Sequence, residues 1–334
     1  MYKRLFGSHA ARLLIGIGAA LLLAACAAPA DEHSTEMTIP PLEPVTLGAG
    51  ERLAVVATTG LIGDVVGQVG GDQIDLTVLI EPGRDPHTYE AVPEDLAAIE
   101  RAAVIFVNGL GLEETLLGSI QSTATGVIVP ISAGIEPREW EEDDDHDDDH
   151  DHAADPHFWM DPANVMVWAR NAAQVLGALD PAHAAEYDAN AAAYIAELET
   201  LDAYIREQVA RIPAERRKLV TDHESFGYFA GAYGFELVGA VVPGVTTSAA
   251  PSAGDIARLV EVIRAEGVPA IFVGEASGAG LERLAEQVAA ESGMTVRVLP
   301  LYTGALDAPG TPADTYIGMM RANIDRIVEG LGGG

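Results

Sequence analysis

Three histidines sit just past strand-like runs or at helix entries. His87 lies in EPGRDPHTYE, His157 in DPHFWMDP and His223 in TDHESFGYF. A neutral imidazole nitrogen is a good ligand for zinc and other late divalent metals. A lone histidine beside an aromatic is more often a hydrogen-bonded packing residue, so position has to carry the argument. The tripeptide Asp-Pro-His occurs twice, at Asp85–His87 and Asp155–His157. Proline fixes its own φ and restricts the residue before it, so each of these imidazoles hangs from a stiff loop. Metal sites need that stiffness because ligand geometry must be set in advance. Glu90, three residues past His87, is a candidate to hydrogen-bond a ligating imidazole and fix its tautomer.

The more conspicuous histidines, His146, His150 and His152, lie in EEDDDHDDDHDH, where nine of the eleven residues Glu141–Asp151 are acidic. This run has no packing residues and is expected to stay unfolded. Ligands that must be ordered on binding hold a metal weakly, so these three read as an auxiliary, scavenging or sensing, set. Other chemistries fit poorly. His223–Glu224 opens like a zincin helix, but position 227 is Gly, where the second histidine would have to be. GLGLEE (109–114) lacks the Gly-Lys-Ser/Thr of a phosphate loop. GEASGAG (274–280) lacks the GxGxxG spacing of a dinucleotide turn.

The elements that must position these residues alternate between strand and helix. Strand-like runs at 52–58, 74–80, 104–108 and 126–130 alternate with helical patterns at 60–69, 93–102 and 113–120. After the acidic run come a helix at 161–180 and the longest helical pattern at 181–212. The alternation then resumes, with strands at 218–223, 235–242, 270–274 and 295–301 and a terminal helix at 313–331. Such alternation implies parallel sheets covered by helices. The expected fold is α/β, two parallel-sheet lobes bridged by one long rigid helix. In such lobes ligands gather at the carboxyl ends of strands. His87 and His157 from the first lobe and His223 from the second would then converge on the cleft between them.

The N-terminus reads separately. Lys3, Arg4 and Arg12 precede the apolar run Leu13–Ala25, which is too short to span a membrane but suits a signal-peptide core. It ends in LAAC at Cys26, the only cysteine, a pattern that resembles a bacterial lipobox. Residues 1–25 are expected to be a signal peptide, Cys26 the lipidation site, and 26–50 a flexible tether. Residues 51–180 would form the N-terminal lobe, with an acidic His-rich loop at 136–154, 181–212 the linking helix, and 213–334 the C-terminal lobe. The net charge of -32 argues against nucleic acid and suits attraction of cations.

In order, DPHTYE, DPHFWMDP, TDHESFGYFAGAYG, AIFVGEASG and LYTGALDAPGTPADTYIGMMRANID, with the lipobox and the long helix, resemble the metal-binding lipoproteins of bacterial ABC importers for zinc or manganese. The similarity covers roughly residues 50–331. It implies His87, His157 and His223 as metal ligands. The third position is His in zinc-type and Glu in manganese-type members, so three imidazoles favour Zn²⁺ over Mn²⁺. Many members place a carboxylate where this chain has Gly304. Asp307 is the nearest replacement, with Glu275 or a water as alternatives. The expected function is high-affinity Zn²⁺ capture and delivery to an ABC permease by a monomer, not an enzyme. It would be lipid-anchored at the membrane on the extracytoplasmic side, at the cell surface or in the periplasm. The alternatives are a Mn²⁺-type binding protein, a zinc-dependent hydrolase with Glu224 as base, or a cell-adhesion protein with a structural metal.

Overall fold

A computed structural model of the chain describes residues 37–139 and 154–332. Cys26 and the histidines at 146, 150 and 152 lie outside the described residues. The ends of the acidic segment meet in one antiparallel bridge, Glu139 with Ala154.

The first sheet holds β1 (Leu53–Ala57), β2 (Ile74–Val78), β3 (Val104–Val107) and β4 (Val127–Pro130) in the order β2-β1-β3-β4, all parallel. Between them run α1 (Gly60–Gly70), α2 (Pro93–Arg101) and α3 (Glu114–Thr123). The second sheet repeats the pattern with β5 (Lys218–Thr221), β6 (Glu236–Ala240), β7 (Ala270–Gly274) and β8 (Arg297–Leu301) in the order β6-β5-β7-β8. Its helices are α6 (Gly227–Tyr233), α7 (Ala253–Glu266) and α8 (Gly278–Glu291). β1, β3, β5 and β7 are buried along almost their whole length, which is why they read as continuous apolar runs instead of alternating ones. In both sheets the strand order reverses next to the first strand. A crevice opens there at the carboxyl ends of the strands.

α4 (Pro162–Leu179) starts as its sequence requires. Asp161 at the N-cap accepts from the Ala163 N–H at 2.9 Å, and Pro162 supplies the first helical φ. The helix expected over 181–212 is α5, Ala184–Val209. Its start is delayed because Asp180 takes His183 Nδ1 at 2.6 Å and the Tyr187 hydroxyl at 3.0 Å, making a turn first. Its end comes early because Pro213 disfavours helical backbone before it. Twenty-six residues span about 39 Å.

Tyr187, Ala191, Tyr194, Leu198, Leu201, Ile205 and Gln208 alternate steps of four and three, so α5 buries one stripe. It packs on α4, on α1 beside the first sheet and on the C-terminal helix α9 (Tyr316–Leu331) beside the second. Tyr194 donates to Asp64 of α1 at 3.3 Å, and Tyr204 to Asp325 of α9 at 2.6 Å. One helix therefore holds both lobes. Leu198 is fully buried in this stripe. Leu198→Ala is expected to lower the unfolding free energy by about 2–5 kcal/mol, read from the denaturant midpoint of the metal-free protein.

Candidate metal centre

The three histidines arrive on three loops, each just past a strand or ahead of a helix. His87 follows β2, His157 sits between β4 and α4, and His223 directly follows β5. Their Nε2 atoms converge. His157 Nε2 lies 3.3 Å from His87 Nε2 and 3.2 Å from His223 Nε2. Ring centroids are 5.1–5.5 Å apart. His157 is fully buried, His223 is 2% exposed and His87, at the rim, is 9% exposed. Among the described residues this trio is the one group of three or more His, Cys, Asp or Glu side chains whose ligand atoms could share an ion.

Each histidine is aimed by an aspartate close before it. Asp155 Oδ1 accepts from the His157 backbone N–H at 2.9 Å and faces His157 Nδ1 at 2.8 Å. Asp222 Oδ1 accepts from the His223 N–H at 2.9 Å and faces Nδ1 at 3.1 Å. Asp85 Oδ1 accepts from the His87 N–H at 3.0 Å. An ionised carboxylate only accepts, so the proton on His157 and His223 is assigned to Nδ1. The Nε2 lone pairs then point at one another. Asp222 is held in turn by the Gly274 N–H at 3.0 Å and by the Ser277 hydroxyl.

The lobes also close on these aspartates. Thr247 of the second lobe donates to Asp85 Oδ2 at 2.6 Å. Tyr228 of α6 donates to the Asp155 carbonyl at 3.1 Å and accepts from the Arg138 N–H at 2.9 Å. Gly227, one residue earlier, leaves the room that Asp155 Oδ2 occupies, since a Cβ there would collide with that oxygen. The backbone on both sides of His157 is pinned as well. Asn108 donates to the Pro156 carbonyl at 2.9 Å, Trp159 Nε1 to the Thr303 carbonyl at 2.9 Å, and Tyr316 to the Trp159 carbonyl at 2.7 Å.

Burial, with the two neighbouring imidazoles, pushes the His87 pKa down to about 2. Burial also lowers that of His157, outweighing Asp155. For His223 burial again works against the charge, but the Asp222 charge and hydrogen bond, with Asp85 and Asp155 behind them, outweigh it and leave the pKa raised. Burial would raise the Asp222 pKa, yet His223, Ser277 and the Gly274 N–H bring it down to about 2. Two imidazoles are therefore held neutral and ready to ligate, and His223 is the one of the trio that most readily takes a proton.

Two of the expected residues, Asp307 and Glu90, lie apart from the trio in this structure. Asp307 does not join the trio. Its Oδ2 accepts from the Tyr302 hydroxyl at 3.0 Å, its Oδ1 from the Ala308 N–H at 2.7 Å, and its own N–H is fixed on Ala313 at 3.0 Å. It lines a separate cavity of about 200 Å³ with Gly83, Glu275, Tyr302 and Leu306, so Glu275 stays outside the trio too. Glu90 is exposed, and the carboxylates that hold the imidazoles are Asp155 and Asp222. The signal for these was present, because each histidine of the trio follows an aspartate by one or two residues. The two Asp-Pro-His copies drew attention to the proline instead.

Residues 55–330 match the family model described as zinc-uptake complex component A, periplasmic (ZnuA). The chain is 35% identical over 282 residues to the manganese-binding lipoprotein MntA of Halalkalibacterium halodurans, covering 84% of this chain and 89% of that protein. It is 36% identical over 289 residues to the zinc-binding protein TroA of Treponema pallidum, covering 83% and 88%, and 31% identical over 285 residues to the iron-binding protein YfeA of Yersinia pestis, covering 84% and 87%. The solved structure of TroA superposes with a TM-score of 0.75 at 33% identity, covering 84% of this chain and 99% of TroA.

Replacing the carboxylate behind an imidazole while keeping its shape tests its part in the site. Asp222→Asn and Asp155→Asn are each expected to weaken metal binding about 10–100-fold in a chelator competition. Gly227→Ala should act in the same direction as Asp155→Asn by displacing that carboxylate. The raised His223 pKa sets the pH response. Affinity should hold above it, then fall as pH drops through it, with about one proton leaving per ion bound, counted by calorimetry in buffers of different ionisation enthalpy.

Proposed function

This chain belongs to the ZnuA family of periplasmic zinc-uptake components, and on that premise we propose that it captures Zn²⁺ outside the membrane and delivers it to an ABC permease. The observation that carries the metal assignment is the donor set: three imidazole Nε2 atoms with no carboxylate oxygen among them. Imidazole suits zinc, whereas manganese prefers oxygen donors, and at a nitrogen site the intrinsic order of affinity places zinc above manganese. Spacing agrees. With Zn–N bonds of about 2.0–2.1 Å, a tetrahedral arrangement sets neighbouring nitrogens about 3.3 Å apart, and His157 Nε2 lies 3.3 and 3.2 Å from those of His87 and His223.

His87 and His157 from the first lobe and His223 from the second enclose the ion, so capture depends on both lobes at once. Cys26, lipidated after removal of residues 1–25, would hold the protein at the membrane. No helix among the described residues is long and apolar enough to cross a membrane. A manganese reading is kept because MntA, similar to this chain over most of its length, is named for that metal.

Competition against a chromogenic chelator separates the two readings. Zn²⁺ is expected to bind more tightly than Mn²⁺, and His157→Ala to weaken zinc about 100-fold or more while leaving the far-ultraviolet circular dichroism unchanged. Tighter Mn²⁺ binding would hand the site to manganese. Hydrolysis of ester or peptide panels that needs zinc and His157 would overturn capture altogether.

A further inference from the structure

The crevice where each sheet reverses is filled by a carboxylate of the chain itself. In the second lobe it is Asp222, which directly follows β5, takes the Gly274 N–H at the end of β7 and stands behind His223. In the first lobe it is Glu113, at the N-cap of α3 and 3% exposed. Its Oε1 accepts from the Thr58 hydroxyl and from the Asn108 N–H, each at 2.6 Å. Thr58 and Asn108 directly follow β1 and β3, the two strands beside that crevice. Asp222 meets its imidazole directly, and Glu113 acts one residue further back.

The Asn108 side chain carries the connection. It is fully buried, and its Nδ2 donates to the carbonyl of Pro156, the residue before His157, at 2.9 Å and to the Gly109 carbonyl at 3.0 Å. Neither carbonyl depends on it. Pro156 also accepts from the Phe158 N–H at 2.9 Å, and Gly109 from the Leu112 N–H at 3.4 Å. Asn108 Oδ1 is buried with no hydrogen-bond partner among the described residues. An amide that serves acceptors already served, and leaves its own oxygen unpaired, returns little stability for its burial. The turn it opens is strained too. Gly109, Leu110 and Gly111 have φ of 96°, 51° and 73°, and Leu110 is the one non-glycine residue in the left-handed region among the described residues. From the same end of α3, Thr115 donates to the Tyr89 carbonyl at 2.6 Å, two residues past His87.

We propose that Asn108 and Glu113 are positioning residues for the captured ion. Glu113 fixes the turn 108–113 across the crevice, and the turn aims His157 through the Pro156 carbonyl. Thr115 steadies the His87 loop from the same platform. The start of α3 thereby sets the two first-lobe imidazoles relative to each other. The inference rests on the metal-capture reading and deepens it with residues that do not touch the ion.

Zinc affinity by chelator competition and the visible spectrum of the cobalt(II)-loaded full-length protein test it together. Asn108→Ala is expected to weaken zinc about ten-fold and to shift the cobalt bands, which follow ligand geometry. Asn108→Leu, closer to asparagine in size, should do the same and carries the test if the alanine variant fails to fold. Asn108→Ala and Asp155→Asn act on one imidazole, so their joint effect should differ from the product of the two. Thr115→Val, which acts on His87 from an exposed position, should multiply with Asp155→Asn. Asn108 variants that bind zinc within about two-fold of wild type would overturn the positioning role. So would weaker binding with an unchanged cobalt spectrum, the mark of a purely structural contact. A folded Glu113→Ala protein with wild-type affinity and spectrum would overturn the part given to Glu113. A wild-type protein that binds neither zinc nor cobalt would instead overturn metal capture itself.

Discussion

Three imidazole Nε2 atoms gathered out of water, with that of His157 3.3 and 3.2 Å from those of His87 and His223, are an arrangement that polypeptide does not adopt by default. Each lone pair repels the next, and burial removes the solvent that would soften the repulsion. The chain holds the arrangement by covalent and hydrogen-bonded restraint. A proline stiffens two of the three loops, and an aspartate takes the backbone N–H of each histidine. Two of those aspartates also take Nδ1, which leaves Nε2 free to ligate. A divalent cation turns the mutual repulsion into shared attraction, so the site is built for an ion before one arrives.

The same aspartates join the lobes. Asp85 accepts from Thr247, and Asp155 lies under Tyr228 in the space that Gly227 leaves. Orientation of an imidazole and apposition of the lobes are thus one set of contacts at the front of the molecule. At the back, α5 ties α1 to α9, and the buried carboxylate of Asp64 accepts from both Tyr194 and the Tyr316 N–H, with burial raising its pKa. Rigid-body motion of one lobe against the other has to work against both attachments.

Charge on the chain as a whole acts at longer range. With a net charge of -32, the chain attracts cations, and that attraction weakens with ionic strength. The trio is a different kind of attraction, local and built from neutral donors. Negative charge concentrates the ion, and the imidazoles select it.

The amino-acid sequence by itself determined the layered α/β plan, because continuous apolar strands and capped amphipathic helices follow from residue spacing alone. It also singled out the three histidines that the fold brings together, because Asp-Pro-His twice marks stiff loops and all three lie at strand ends or helix entries. It placed α4 to within a residue, and α5 to within three at each end. What it left open was everything set by contacts between distant segments. Whether Asp307 turns inward depended on Tyr302 and the backbone of Ala308 and Ala313. Whether Glu90 or an aspartate stands behind an imidazole depended on which side chains the loops bury. Gly304 reads in one dimension only as a position without a carboxylate. Folding places it against Pro86 beside the trio, because ligand geometry is a property of three loops meeting in space, and no local pattern encodes where they meet.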